Sequence, residues 1–211
     1  MRSVLIDTAG PTVGLAAFVA GRVAWTGEAR VVAGAEEWLD DALSQALAAL
    51  GGVDRVAVSV GPGAFTGLRV SVATALGLAV STGAQVVPLS SLAVRACLAP
   101  GEPRVLALLD ARKGRVYAGW FDTRGPVPFA LGPEQDVVPS EAVRSEPGVA
   151  VGEGALVARA FVLAAGHREI EGSGRSPVAE AVALVERGEG VAAQEVGLRY
   201  LREPDARPPP R

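Results

Sequence analysis

The chain has 211 residues, a formal net charge of −3 at pH 7 and 49% hydrophobic residues. This length can bury the core of one domain or of two small lobes, and the acidic balance disfavours a protein that grips RNA unaided. One cysteine excludes an internal disulfide. No stretch approaches the roughly 18 to 20 continuous apolar residues of a membrane span, and Asp7 cuts the first apolar run too early for a secretory signal. We therefore expect a cytoplasmic protein.

The first 60 residues predict strands around one amphipathic helix. Short apolar runs separated by glycine and proline turns indicate strands, and an apolar face at helical spacing indicates the helix. The predicted strands are Ser3–Asp7, Val13–Val19, Val23–Thr26 and Arg55–Val60, and the predicted helix is Glu36–Leu50.

The fourth predicted strand ends in the most informative stretch of the chain, Gly61-Pro62-Gly63-Ala64-Phe65-Thr66-Gly67-Leu68-Arg69. A tight turn that opens a helix directs backbone N–H groups outward, where an anion or a partner could be held. The turn is not a P-loop, because it lacks the Gly-Lys-Ser/Thr ending, and Thr66 replaces the third glycine of a Rossmann fingerprint. The helix that follows is expected to end near Thr82.

The remaining elements suggest two lobes. We expect strands at Gln85–Leu89, Arg104–Asp110 and Arg115–Asp122, a short helix capped by Ser90 or Ser91, and helices at Ala155–Ala165 and Ser176–Arg187. With a hinge at Pro100–Pro103, these predict an N-terminal lobe over 1–101, a smaller lobe over 102–198 and a C-terminal tail over 199–211, in which Arg207–Arg211 should be disordered or extended. The order of elements suits an α/β fold with mixed sheets flanked by helices, and any duplication of the lobes would be structural only, because the sequence has no internal repeat.

Three motifs, in order, resemble the TsaB (YeaZ) family. They are Ile6-Asp7-Thr8-Ala9, the glycine-rich stretch with Ala64 where the family has Ser, and Asp110-Ala111-Arg112-Lys113-Gly114-Arg115-Val116-Tyr117. The resemblance covers Met1 to about Asp122; later, only Tyr200-Leu201-Arg202 is similar, and Leu198 stands where the family usually has Pro. It implies a two-lobed, actin-like ATPase (ribonuclease-H-like) fold. It also implies a non-catalytic subunit for the synthesis of threonylcarbamoyladenosine on tRNA.

The same resemblance implies the partners. A TsaD-like transferase would be the catalytic partner, a TsaE-like P-loop ATPase the third subunit, and a second copy of the chain the partner when the transferase is absent. The chain would contact transfer RNA only within the complex. It would have no cofactor of its own, and ATP or ADP would bind only at the interface with its partners. The partner surface is expected on the two N-terminal helices, at Trp38, Leu39, Phe65, Leu68, Arg69, Val72 and Ala75.

A nucleotide or anion cleft is the second candidate site, at Asp7, Thr8, Gly61, Gly63, Asp110 and Arg112. In actin-like ATPases an acidic residue after the first strand handles Mg²⁺ and phosphate; the alternative for Asp7 is a turn cap that bonds its own backbone. Asp110 and Arg112 could face Asp7 or form an ordinary surface pair. Because Gly152-Glu153-Gly154 could be a second phosphate hairpin, an actin-like ATPase or kinase remains an alternative function.

We expect no catalytic residue and no bound metal. His167 is the only histidine and Cys97 the only cysteine, so neither a zinc site nor a nucleophile with its base can be assembled; a glycoprotease-like peptidase, the other alternative, needs one of these. We expect His167 at a helix end or on the surface and Cys97 as a buried small apolar group. Lys113, between Arg112 and Arg115, marks a small basic spot for an anionic ligand or RNA, or a simple solvated loop.

Overall fold

The first half of the chain forms a five-stranded mixed sheet. The computed structural model describes residues 1–31, 35–144, 146–170 and 175–202. The elements of this half are β1 (Arg2–Asp7), β2 (Thr12–Val19), β3 (Arg22–Arg30), α1 (Ala35–Leu50), β4 (Arg55–Gly61), α2 (Phe65–Thr82), β5 (Gln85–Ser90) and α3 (Ser91–Ala96). The strand order is β3-β2-β1-β4-β5; β1, β2 and β3 are antiparallel neighbours, whereas β4 and β5 run parallel to β1.

The second half builds another mixed sheet and then three short helical segments. Its elements are β6 (Val105–Arg112), β7 (Arg115–Asp122), β8 (Phe129–Ala130), β9 (Gln135–Val137), α4 (Pro139–Ala142), β10 (Val149–Val151), α5 (Ala155–Ala164), β11 (Arg168–Glu169), α6 (Pro177–Glu180), α7 (Val182–Arg187) and a 3₁₀ turn (Ala193–Glu195). The order β11-β10-β6-β7-β8, with β9 also on β7, repeats the path of the first sheet. The two lobes are therefore duplicated in topology, although the sequence contains no repeat.

Both faces of the first sheet are covered, because side chains alternate along each strand. On one face, Val4 and Ile6 of β1 pack with buried side chains of α1 and α2. On the other face, Leu5 packs with Val178 of α6 and Val185 of α7. A strand buried on both sides reads as a continuous apolar run, which is how β1 and β4 read in the sequence.

The last two helices correct the predicted lobe boundary. The predicted helix Ser176–Arg187 is split at Ala181 into α6 and α7, with Ser176 capping α6 as expected. Both helices pack on the first sheet, and the Arg55 guanidinium holds the end of α7 through the carbonyl oxygens of Val185, Glu186 and Gly188. The second lobe, predicted over 102–198, therefore ends before α6, and the chain returns to the first lobe.

The beginning of the predicted tail is held against both lobes. The backbone N–H of Arg199 donates to the carbonyl oxygen of Val60, at 2.7 Å, and the Arg202 guanidinium pairs with Asp136 of β9 at 2.6 Å. Residues 199–202, the beginning of the predicted tail, are therefore packed against the lobes. The rest of the predicted tail, 203–211, lies outside the described residues.

Among the described residues, one helix is long and apolar enough to cross a membrane, contrary to our expectation that no stretch comes close. It is α2, with 18 residues and a mean hydropathy of 1.3. A core helix of a soluble protein passes the same test, and α2 packs on the first sheet through six side chains: Leu68, Ser71, Val72, Ala75, Leu78 and Ala79. Since only 33% of the helix is buried, α2 also presents a large unburied surface.

Two glycines of α2 have opposite surroundings. A Cβ atom on Gly67 would lie 2.1 Å from the carbonyl oxygen of Thr8, whereas a Cβ on Gly77 would meet no atom within 4 Å. Gly67 is therefore required for the close approach of α2 to the turn after β1, and Gly77 is not required by packing within the chain.

We predict that Gly67→Ala lowers the free energy of unfolding by about 2 kcal/mol or more, because the methyl group must push backbone apart. Gly77→Ala is the matched control in the same helix, and it should raise that free energy by about 0.5–1 kcal/mol through helix propensity. Urea unfolding followed by circular dichroism measures both changes. Equal effects of the two substitutions would contradict the packing described for Gly67.

Candidate functional site

A buried arginine lies where the two lobes meet. Arg95 of α3 is 1% exposed, and its guanidinium pairs with Asp7, at the end of β1, and with Glu153, in the turn between β10 and α5. The two Arg95–Glu153 hydrogen bonds are 3.2 and 3.3 Å long. One side chain therefore joins the first lobe, the helix between the lobes and the second lobe.

The two carboxylates stabilise the positive charge of Arg95, which is buried together with Asp7, whereas Glu153 is 23% exposed. Burial opposes the charge on the Arg95 guanidinium, but Asp7 and Glu153 outweigh burial and hold its pKa above the ordinary value. Asp7 also accepts a hydrogen bond from the backbone N–H of Ala9 at 2.9 Å, as expected for a turn cap. The Asp7 carboxylate is thus committed to an internal cation and to its own turn.

The glycine-rich loop packs against backbone. A Cβ on Gly63 would lie 2.6 Å from the Ala9 carbonyl oxygen, and one on Gly61 would lie 2.1 Å from the Arg199 carbonyl oxygen. Thr8 adds a hydrogen bond from its hydroxyl to the Gly67 carbonyl oxygen, at 2.6 Å. Four of the predicted cleft residues, Asp7, Thr8, Gly61 and Gly63, therefore lie close together, but their contacts close the loop onto the turn after β1.

The second-lobe half of the predicted cleft is arranged differently. Asp110 is exposed beside the β6–β7 turn, where its carboxylate accepts the backbone N–H of Arg112 at 2.7 Å. Gly152 and Gly154 pack closely on β6, because a Cβ on Gly152 would meet the backbone of Leu108, and a Cβ on Gly154 that of Leu108 and Leu109, within 3 Å. The stretch that could be a second phosphate hairpin forms the turn from β10 into α5, and its Glu153 pairs with Arg95.

The only cysteine and the only histidine both pack within the chain. Burial raises the pKa of the Cys97 thiol to about 12, as expected for a packed apolar group. His167 follows the C-terminal end of α5, one of its two expected positions, and it is buried rather than on the surface. Its Nε2 lies 2.9 Å from the Arg144 carbonyl oxygen, and its ring lies tilted against Trp120 with 5.5 Å between centroids. Within the described part of the chain, no three His, Cys, Asp or Glu residues are grouped as a metal site would require.

The residues predicted for the partner surface divide into two groups. Trp38 is half-buried, Phe65 is half-buried beneath the Arg69 guanidinium, which lies 3.8 Å from the ring centroid, and Arg69 is exposed. The other four are core side chains and do not lie on the surface of this chain: Leu39, Leu68, Val72 and Ala75.

The exposed face of α2 lies one helical face away from that prediction. It carries Thr66, Arg69, Ala73, Gly77 and Val80, spaced three or four residues apart, so they form one stripe along the helix. Val80 is 77% exposed, and the small residues at 73 and 77 allow a second helix to approach closely.

Arg95 is the residue that sequence reasoning missed. The available signal was a single arginine within the apolar run Leu92-Ala93-Val94-Arg95-Ala96. A charge on a short apolar helix is buried only with a partner, but the partners come from positions 88 residues before and 58 residues after it, so they could not be identified from spacing.

We predict that Arg95→Leu lowers the free energy of unfolding by about 3–5 kcal/mol, because two carboxylates lose their buried counter-ion. Arg104→Leu is the matched control, since Arg104 and its partner Glu146 are 41% and 66% exposed, and it should cost less than about 1 kcal/mol. Adding Asp7→Asn and Glu153→Gln to Arg95→Leu should restore part of the loss. Thermal and urea unfolding measure all three, and an Arg95→Leu variant as stable as Arg104→Leu would refute the buried triad.

Sequence comparisons match part of the chain. A sequence model of the family described as "TsaD: tRNA N6-adenosine threonylcarbamoyltransferase" matches residues 32–127. Two curated relatives named tRNA threonylcarbamoyladenosine biosynthesis protein TsaB are similar over 82 residues, at 38% identity for Haemophilus influenzae and 37% for Escherichia coli. That match covers 37% of this chain and spans about a third of the length of each relative, 35% and 36%.

Structure comparisons match nearly the whole chain. YeaZ from Pseudomonas aeruginosa superposes with a TM-score of 0.79 and 26% sequence identity, over 95% of this chain and 99% of that one. AlfA from a B. subtilis plasmid, at 10% identity, a TM-score of 0.50 and coverage of 90% and 100%, shares the fold alone. The comparisons and the two duplicated sheets together confirm the two-lobed, actin-like fold of this chain and its resemblance to the TsaB (YeaZ) family.

Proposed function

We propose that this chain is a non-catalytic subunit in the synthesis of threonylcarbamoyladenosine on tRNA and that it binds a TsaD-like transferase. The relatives named for that biosynthesis and the similarity of fold to YeaZ over 95% of the chain support the pathway. The observation that carries the role of binding subunit is the unburied face of α2.

That face has the properties of a helix–helix contact surface. Seven of the 18 residues of α2 are exposed, and they include Ala73, Gly77 and Val80. Val80 is a large apolar side chain that is 77% exposed beside these two small residues, and clustered exposed apolar groups mark association surfaces. Ala73 and Gly77 keep the middle of the face flat, and no atom of this chain lies within 4 Å of the space above Gly77. Trp38 on α1 is half-buried and packs on the same core.

The filled cleft favours a subunit without catalysis over an ATPase or a kinase. An actin-like ATPase uses an acidic residue after the first strand for Mg²⁺ and phosphate, but here Asp7 is paired with Arg95. The second-lobe turn that would hold phosphate contributes Glu153 to the same guanidinium, and a carboxylate repels phosphate. Both observations oppose binding of Mg²⁺–ATP in the cleft.

The remaining partners follow from the family resemblance. A TsaE-like ATPase would be a third subunit, and in the absence of the transferase the α2 face of one copy would meet that of another, because an isologous contact places the same patch on both sides. ATP or ADP would lie where subunits join.

We predict that Ala73→Glu abolishes association with the transferase and with a second copy while the fold is retained. Residue 73 is exposed, so a carboxylate there is solvated in the free chain, but it would be buried unpaired in a helix–helix contact. Co-purification, gel filtration and circular dichroism test both parts of this prediction.

Two alanines provide controls for this experiment. Ala160→Glu, exposed on α5 of the other lobe, should leave association unchanged. Ala75→Glu should unfold the chain, because Ala75 is fully buried. A folded Ala73→Glu variant that still binds the transferase would show that α2 is not the interface.

We predict that the purified chain shows no saturable Mg²⁺–ATP binding in calorimetry and no ATP hydrolysis above background. Arg95 and Glu153 occupy the cleft, so Asp7→Asn should change neither measurement. ATP turnover that Asp7→Asn abolishes would instead identify an actin-like ATPase.

A further inference from the structure

Cationic side chains from three parts of the chain converge at the open end of the glycine-rich loop. The β6–β7 turn contributes Arg112 and Lys113, the start of β7 contributes Arg115, and the segment after the 3₁₀ turn contributes Arg199 and Arg202. Arg112 and Arg115 are partners across the turn, and the Arg202 guanidinium donates to the carbonyl oxygen of Ala111 at 3.1 Å. We call these five residues the basic cluster.

Two carboxylates of this region are less exposed than the cations that pair with them. Asp136 is 9% exposed and is shared by Arg115, 37% exposed, and Arg202, 24% exposed. Glu134 is 5% exposed and pairs with Arg199, which is 52% exposed. The guanidiniums of these pairs are therefore the groups that solvent reaches, and Asp110 is an exposed carboxylate at the same turn.

The cations of the basic cluster and burial act together on the two carboxylates. Two guanidiniums share the single Asp136 carboxylate, and their hydrogen bonds outweigh the effect of burial and hold its pKa below the ordinary value. For Glu134 the balance is reversed, because burial raises its pKa by more than the hydrogen bond from the Ser90 hydroxyl and the charge of Arg199 lower it. The turn itself adds Arg112 and Lys113, both exposed and both with positive φ, 61° and 53°.

An aromatic platform borders the basic cluster. Tyr200, 39% exposed, lies against Phe65 with 5.1 Å between the ring centroids. The Arg69 guanidinium lies over the Phe65 ring, 3.8 Å from its centroid. Exposed guanidiniums beside partly exposed aromatic rings suit RNA, since cations contact phosphates and rings stack on unpaired bases. An acidic protein surface would also be attracted to the cations, but the aromatic rings would add little to its binding.

We infer that the basic cluster and Tyr200 form an RNA-binding surface that contacts the phosphate backbone and an unstacked base of the tRNA. This inference rests on the proposed function, which supplies tRNA as the RNA. The surface adjoins Thr66 and Arg69, at the N-terminal end of the α2 face that is proposed for the transferase, whereas Ala73, Gly77 and Val80 lie further along that face.

The test compares variants within the complex of this chain and the transferase, with an unmodified tRNA transcript that reads codons starting with A as the probe. Arg112→Glu combined with Lys113→Glu should weaken tRNA binding about tenfold or more at ~0.1 M salt and reduce the slope of log K against log salt by about one to two. Tyr200→Leu, which keeps an apolar side chain, should weaken binding about fivefold or more without changing that slope.

Arg22→Glu is the matched control, because Arg22 is exposed at the end of the first sheet opposite Asp7; it should bind tRNA as the wild type does. Circular dichroism and co-purification with the transferase accompany every variant. Arg112→Ala combined with Lys113→Ala replaces the charge-reversal variant if the latter does not fold, with the same direction expected.

Unchanged tRNA affinity and salt slope in variants that still bind the transferase would overturn the inference. Loss of transferase binding by the turn variants would also overturn it, because the basic cluster would then be a protein contact. If the wild-type chain does not bind the transferase at all, the proposed function fails separately, and the same variants are compared as isolated chains at low salt. A loss of tRNA binding there would still support the RNA surface, and equal binding would refute it.

Discussion

The guanidinium of Arg95 is the constraint on which the arrangement of the two lobes depends. Its partners, Asp7 and Glu153, belong to different lobes, and α3 carries it between them. Removing Arg95 would leave the buried Asp7 carboxylate without its counter-ion and would break the link to Glu153, so this one side chain holds the two lobes together. The cleft of an actin-like fold, where a ligand usually joins two lobes, is here closed by a side chain of the protein itself.

The proposed function lies on the surface of the chain rather than in the cleft. The glycine-rich loop, which its sequence suggested as an anion site, instead lets α2 approach the turn after β1 and the segment at Arg199. That packing fixes the start of α2 and leaves one long face of the helix unburied. The same segment carries Tyr200 and Arg202 to the β6–β7 turn, so the proposed protein contact and the proposed RNA contact are both positioned by the loop.

The local elements were predictable because their signals are local. Strand β7 was predicted at Arg115–Asp122, as found, and the Ser176 cap and the turn-capping role of Asp7 were also readable from neighbouring residues. The outward face of α2 was not predictable: the helix is apolar on all sides, so periodicity could not show that Leu68, Val72 and Ala75 face the sheet. The return of α6 and α7 to the first lobe and the pairing of Arg95 depend on contacts between distant segments, which spacing cannot reveal.

Hydrogen–deuterium exchange tests most directly the claim that this chain works through its surface with an occupied cleft. The backbone amides would be measured for the chain alone, with the transferase and with Mg²⁺–ATP. We predict added protection along α2 with the transferase and no change at the end of β1 or in the turn at Glu153 with the nucleotide. Protection of those two cleft segments by Mg²⁺–ATP alone, with α2 unchanged by the transferase, would contradict the account.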